Sequence, residues 1–193
     1  RGLTRNALSL MSRWKILDNL RRSVVPLALL VMLVAGWTFL PGALWFCMFT
    51  ALVVIASQLL PLLARLLAGP ARAQSVPVFW RNLREDTAIA LGQVMLGLTF
   101  MAYHAWQTSH AVVLTLVRVM FTRRRLLEWE TAATTAARTA GLIGRRGLQQ
   151  FLVDMMASPI VSAAIAALIT LTRPSALPTA APFLVLWAAA PII

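Results

Sequence analysis

The residues of this chain that could do chemistry are few, and their spacing does not favour a shared site. His104 and His110 are six positions apart and so do not share a helix face, and no Cys or carboxylate is close enough in sequence to complete a metal site. Glu128 and Glu130 also have the wrong spacing for one helix face, and pairing with the neighbouring arginines explains them more simply. The sequence therefore predicts no catalytic, cofactor-binding or metal-ligating residue within this chain.

Two further sequence features do not indicate a catalytic or binding site. Cys47 is the single cysteine, so it cannot form an intrachain disulfide, and we interpret it as a small buried apolar residue. Gly141, Gly144 and Gly147 lack the strand–turn–helix context of a phosphate-binding loop.

The composition indicates a multi-pass membrane protein. The 193 residues are 60% hydrophobic with a mean hydropathy of +0.77, whereas soluble domains are about 45–50% apolar. The net charge is +12, from 18 Lys and Arg against 6 Asp and Glu. Because these charges flank apolar segments and form no separate soluble domain, the expected partner is the lipid bilayer and not nucleic acid.

A charge-free stretch at residues 23–64 organises the chain. Pro41-Gly42 divides it into arms that, as helices, are ~27 and ~33 Å long at ~1.5 Å per residue. Each arm can cross a hydrocarbon core about 30 Å thick. The pattern predicts a transmembrane hairpin, with Trp37 and Trp45 at the interface beside its turn.

The predicted fold is all-α: a polytopic helical membrane protein with about four transmembrane helices and cytoplasmic interfacial amphipathic helices. We divide the chain into a cytoplasmic interfacial amphipathic helix (1–22), a transmembrane hairpin (23–64), a basic cytoplasmic or interfacial helical region (65–154) and a second transmembrane hairpin, truncated at its end (155–193). Within the third part, residues 88–117 could form marginal spans or lie shallow in the interface.

Charge sets the expected topology. All Lys and Arg residues except Arg173 fall on one side of the membrane if residues 87–117 cross it an even number of times. The positive-inside rule makes that side cytoplasmic. The clean spans contain no carboxylate, which disfavours an ion-driven transporter. Ser57 and Gln58, the polar residues of the second arm, could line a sugar path or, as we favour, bond a neighbouring helix.

Basic and aromatic residues flanking the spans are the candidate membrane-interface residues, because their side chains suit the headgroup region. They are Arg13, Trp14, Lys15, Arg21, Arg22, Arg123, Arg124, Arg125 and Trp129.

Two of these segments resemble a known family. Residues 12–23 (SRWKILDNLRRS) are similar to the segment that follows the glycosyltransferase domain of cyclic β-1,2-glucan synthases, and residues 123–133 (RRRLLEWETAA) are similar to the family's RRxLLEWxTA segment. The order of spans and basic stretches is similar too. The connector at residues 72–90 matches less well.

The resemblance implies a membrane block within a large multi-pass enzyme of the bacterial inner membrane. The family's cytoplasmic glycosyltransferase domain makes β-1,2-glucan from UDP-glucose with a divalent metal (Mg or Mn), and a phosphorylase-like glycoside hydrolase domain follows the membrane block. This fragment would anchor and orient those catalytic domains of the same chain, without a cofactor of its own. The alternative is a stand-alone membrane scaffold or polysaccharide-export subunit with no catalysis.

Overall fold

The structure, a computed structural model, describes residues 9–70, 74–122, 152–153 and 155–193. The helices in these ranges are α1 (Leu10–Thr38), α2 (Ala43–Ala68), α3 (Val76–Thr99), α4 (Met101–Val117), α5 (Ala157–Thr172) and α6 (Leu177–Ala189). A π-helical turn, Arg118–Thr122, extends α4, and a short 3₁₀ turn, Pro174–Ala176, joins α5 to α6. The described part of the chain contains no β-strand, so the predicted all-α fold is confirmed.

The predicted interfacial segment and the first arm of the hairpin form one continuous helix, α1. The Ser9 side chain caps its start by accepting a hydrogen bond from the Ser12 amide at 3.2 Å. No glycine or proline interrupts residues 10–22, and Asp18 pairs with Arg21 and Arg22 along one face. The helix therefore runs from the basic segment into the apolar one without a break.

The turn between α1 and α2 lies where Pro41-Gly42 predicts it. Gly42 has φ 79°, a left-handed conformation that glycine adopts without the steric cost of a Cβ. Next to the turn, α1 and α2 approach closely at Gly36, where an added Cβ would lie 2.5 Å from Cδ2 of Phe46. Beyond this contact, α1 packs chiefly on α4, and α2 packs chiefly on α3.

Helices α3 and α4 form a bent pair whose axes differ by 59° at the break around Phe100. Asp86 pairs with Arg65 near the end of α2, and Gly97 lies beside Val54 in its middle, so α3 runs antiparallel to α2. Met101 and Ala102 join the core that contains Leu29 and Leu33, and the Thr108 hydroxyl reaches the Ser23 carbonyl, so α4 packs along α1.

Helices α5 and α6 form a second hairpin held by buried serines. The Ser158 hydroxyl donates to the Trp187 carbonyl at 2.9 Å, and the Ser162 hydroxyl donates to the Leu184 carbonyl at 2.8 Å. Small hydroxyl side chains allow close helix approach and supply bonds that lipid cannot. The core lies where this hairpin meets α1, α2 and the α3–α4 break.

The described helices fit a membrane protein. Two of them, α1 and α2, are long and apolar enough to cross a bilayer, and the bent α3–α4 pair would be a third span if it crossed as one unit. The α5 helix and the Pro174–Ala189 segment are shorter and apolar.

Candidate functional site

The described interface candidates all lie on the first half of α1. Arg13, Trp14 and Lys15 are exposed, and Trp14 is 68% exposed. One turn or two further on, Asp18 accepts from Arg21 at 3.0 Å and lies 2.6 Å from an Arg22 nitrogen. This part of α1 presents an aromatic side chain and cations just before the charge-free residues begin, as an interfacial segment would.

Four of the candidates, Arg123, Arg124, Arg125 and Trp129, lie outside the described residues. Their interfacial position stays a prediction from the sequence. The structure therefore brings together only the α1 members of the predicted set.

The basic ends of the elements are linked by polar contacts. An ion pair joins Arg65 of α2 to Asp86 of α3, and the Thr108 hydroxyl of α4 donates to the Ser23 carbonyl of α1 at 3.2 Å. These contacts lie at the two edges of the charge-free stretch, residues 23–64. These contacts therefore join α3 and α4 to the long helices close to their basic residues.

The polar residues at 103–110 form part of α4 rather than a break in the fold. The Gln107 amide donates to the Tyr103 hydroxyl at 2.6 Å, and the Ser109 hydroxyl donates to the Ala105 carbonyl at 2.7 Å. Local bonds of this kind satisfy polar groups that would be costly in hydrocarbon. The break falls instead at Phe100, on the core side of this polar stretch.

Trp37 corrects one expectation from the sequence. Predicted at the interface, it is fully buried, while Trp45 on the other side of the turn is 74% exposed. The rings of Trp37, Phe183 and Trp187 contact one another pairwise, with centroids 5.9 Å apart in each pair. Trp37 therefore helps to hold the second hairpin against α1 rather than anchoring the interface.

Hydrogen bonds from this aromatic cluster link four helices. The Trp37 indole N–H donates to Cys47 Sγ at 3.2 Å, and that thiol donates to the Thr179 carbonyl at 3.7 Å. The Trp187 indole N–H donates to the Leu98 carbonyl at 3.0 Å, beside the α3–α4 break. Sequence reasoning identified Cys47 as buried but missed its place in this network, because its partners are remote in the chain.

Two other polar features lie elsewhere on the helices. The Arg173 guanidinium donates to the Leu40 carbonyl at 2.7 Å, so it lies beside the Pro41-Gly42 turn. Ser57 donates to the Val54 carbonyl and Gln58 donates to Ser57, so both make bonds within α2, not the predicted bonds to a neighbouring helix.

The described residues do not bring together a group of side chains that could hold a metal ion. His104 and His110 are exposed on α4, and among the residues that the structure describes no three His, Cys, Asp or Glu side chains lie together as a metal group. No described residue is therefore assigned to the divalent metal that the family resemblance implies. The geometry supports membrane embedding and the positioning of helices.

Comparison with known proteins finds a curated protein that is similar to this chain. No family model matches it. Over 195 aligned positions, covering 98% of the chain, it is 33% identical to the cyclic beta-(1,2)-glucan synthase NdvB of Rhizobium meliloti (strain 1021). The chain spans 6% of the length of that protein. This match confirms the resemblance found in the sequence: along nearly its whole length the chain is similar to a segment of a cyclic beta-(1,2)-glucan synthase.

Proposed function

We propose that this chain is the membrane segment of a cyclic β-1,2-glucan synthase, and that it anchors and orients catalytic domains of the same polypeptide. The observation that carries the proposal is the 33% identity to NdvB along nearly the whole chain. The packing is compatible with such a role, because one buried cluster joins α1, α2, α5 and α6 to the α3–α4 break. We expect helices packed together in this way to keep the attached domains at a fixed position relative to the membrane.

The parent protein is then a glycosyltransferase that makes β-1,2-glucan from UDP-glucose, with a divalent metal held by residues outside this segment. It would reside in the bacterial inner membrane with the basic ends of α1, α2 and α3 in the cytoplasm. The positive-inside rule supports this orientation, since Arg21, Arg22 and Arg65 flank the charge-free stretch. Arg173, beside the opposite turn, would face the periplasm.

The test is synthesis of glucan by the full-length protein that contains this segment. Membranes from a host without β-1,2-glucan synthesis of its own are supplied with UDP-[14C]glucose, with and without Mg²⁺ or Mn²⁺, and the linkage of the product is determined. We expect metal-dependent incorporation into β-1,2-linked glucan. Membranes that contain the intact protein but make no such product would contradict the proposal and favour a non-catalytic scaffold or export subunit.

A further inference from the structure

Two grooves meet on the outward face of α3. The first has a volume of about 590 Å³ and is lined by Trp80, Arg81, Arg84, Glu85 and Ala88. The second, about 440 Å³, is lined by Trp80, Leu83, Arg84, Thr87, Ala88 and Leu91. We call their union the α3 groove. It is basic at the end nearer the start of the helix and apolar at the other end.

The basic end keeps an excess of positive charge. Arg81 Nε lies 3.8 Å from Glu85 Oε1, and both side chains are more than 60% exposed, so solvent screens this pair strongly. Among the described residues, Arg84 has no acidic partner within ion-pair distance. Trp80, 56% exposed, lines both grooves next to Arg81, and its amphipathic ring suits the headgroup region of a membrane.

The packing of α3 sets the depth of the groove. Asp86 pairs with Arg65, the first charged residue after the charge-free stretch, whereas Gly97 lies beside Val54 in the middle of α2. Arg81 and Arg84 precede Asp86 and so lie at the polar edge. Leu91 is ~10 Å further along the helix axis, at ~1.5 Å per residue, on the hydrocarbon side.

From this arrangement we infer that the α3 groove binds an anionic phospholipid. The headgroup phosphate pairs with Arg81 and Arg84, since guanidinium groups bind phosphate oxygens in a bidentate manner. An acyl chain follows Ala88 to Leu91 into the membrane. A free phosphate would use only the basic end, and a zwitterionic lipid would gain less from the two arginines. This inference goes beyond the glucan synthase role and does not depend on it.

The experiment measures lipid selectivity. The chain is reconstituted in nanodiscs of equal phosphatidylglycerol and phosphatidylcholine, released into the gas phase, and the retained lipids are identified by native mass spectrometry. We expect enrichment of phosphatidylglycerol on the wild-type chain. The double variant Arg81→Gln/Arg84→Gln should lower this enrichment by about fivefold for each arginine, since one cation near an anionic surface contributes about that factor.

Matched variants test whether lipid enrichment depends on the α3 groove or only on the total positive charge. Arg21→Gln/Arg22→Gln removes the same charge from α1, where Asp18 already pairs with both arginines, and should lower the enrichment less. Ala88→Trp should block the acyl path without changing charge, whereas Ile89→Trp, on the neighbouring exposed position outside both grooves, should not. Circular dichroism of each variant checks that its helices form.

Three results would overturn the inference. The first is an equal loss of phosphatidylglycerol enrichment in the two double-arginine variants, and the second is equal enrichment in Ala88→Trp and Ile89→Trp. The third is displacement of the lipid from the wild-type chain by millimolar inorganic phosphate. The last result would identify a simple anion site at the arginines instead of a lipid site.

Discussion

At the scale of single residues, the sequence does not show which tryptophans are buried and which are exposed. Trp37 and Trp45 flank the same predicted turn, yet one is fully buried and the other is 74% exposed. Local pattern cannot separate them, because a tryptophan near a helix end suits both an interface and a core. Trp37 is buried because it packs against Phe183 and Trp187, which lie more than 100 positions away in the chain.

Replacement of Trp187 by Phe tests the network at this scale. The variant keeps an aromatic ring in the cluster but loses the indole donor to the Leu98 carbonyl, which lies beside the α3–α4 break. We expect a loss of more than about 1 kcal/mol in stability, because one hydrogen bond contributes about that much and the smaller ring also leaves space in a fully buried cluster. The thermal midpoint in detergent measures it, with Trp45→Phe as the exposed control. Equal thermal midpoints for the two variants would show that Trp187 does not stabilise the contact with the α3–α4 break.

At the scale of elements, the long apolar helices and the turn between them follow directly from the sequence. The charge-free stretch and Pro41-Gly42 predict the apolar part of α1, the helix α2 and the turn between them. The exact site of the α3–α4 break does not follow from the sequence, because Phe100 is not a helix-breaking residue. Within α4, polar side chains of residues 103–110 bond to the Tyr103 hydroxyl and to the Ala105 and Ser23 carbonyls.

Gly36 tests the close approach of α1 and α2. An alanine there places its Cβ 2.5 Å from Phe46 Cδ2 and 2.9 Å from Phe46 Cβ, so Phe46 or the helices must move. We expect Gly36→Ala to cost about 1–3 kcal/mol, the usual range for overpacking. Gly92→Ala on α3 is the control, because no atom lies within 4 Å of the added carbon. Its stability should be unchanged or higher, since alanine favours helix; a larger loss at Gly92 than at Gly36 would contradict the packing.

The Arg65–Asp86 pair tests the register of α2 against α3. Both side chains are about 35–43% exposed, so its contribution is at the scale of a partly solvated pair, roughly 0.2–1 kcal/mol. Arg65→Asp and Asp86→Arg should each lower the thermal midpoint, because each places like charges together, and the double swap should recover most of the loss. A double variant no more stable than the worse single variant would show that these residues do not meet.

At the scale of the whole molecule, the number of times that residues 87–117 cross the membrane stays a prediction from charge patterning. The sequence predicts that residues 87–117 cross the membrane an even number of times, because an odd number would separate the basic clusters. In the structure, α3 lies antiparallel to α2 and α4 packs along α1, while the axes of α3 and α4 differ by 59°. How the second hairpin docks was not predictable, since it depends on Ser158, Ser162 and the tryptophans.

The most direct test of this arrangement is the sidedness of the two ends of the α3–α4 pair. Single cysteines replace Ser75 before α3, Thr122 after α4 and Phe39 at the α1–α2 turn, in a Cys47→Ser background, and a membrane-impermeant thiol reagent is applied to intact cells. We predict labelling of the cysteine at position 39 only, with positions 75 and 122 labelled after permeabilisation. Labelling of either position 75 or position 122 alone in intact cells would show that the pair crosses the membrane once and would contradict the arrangement.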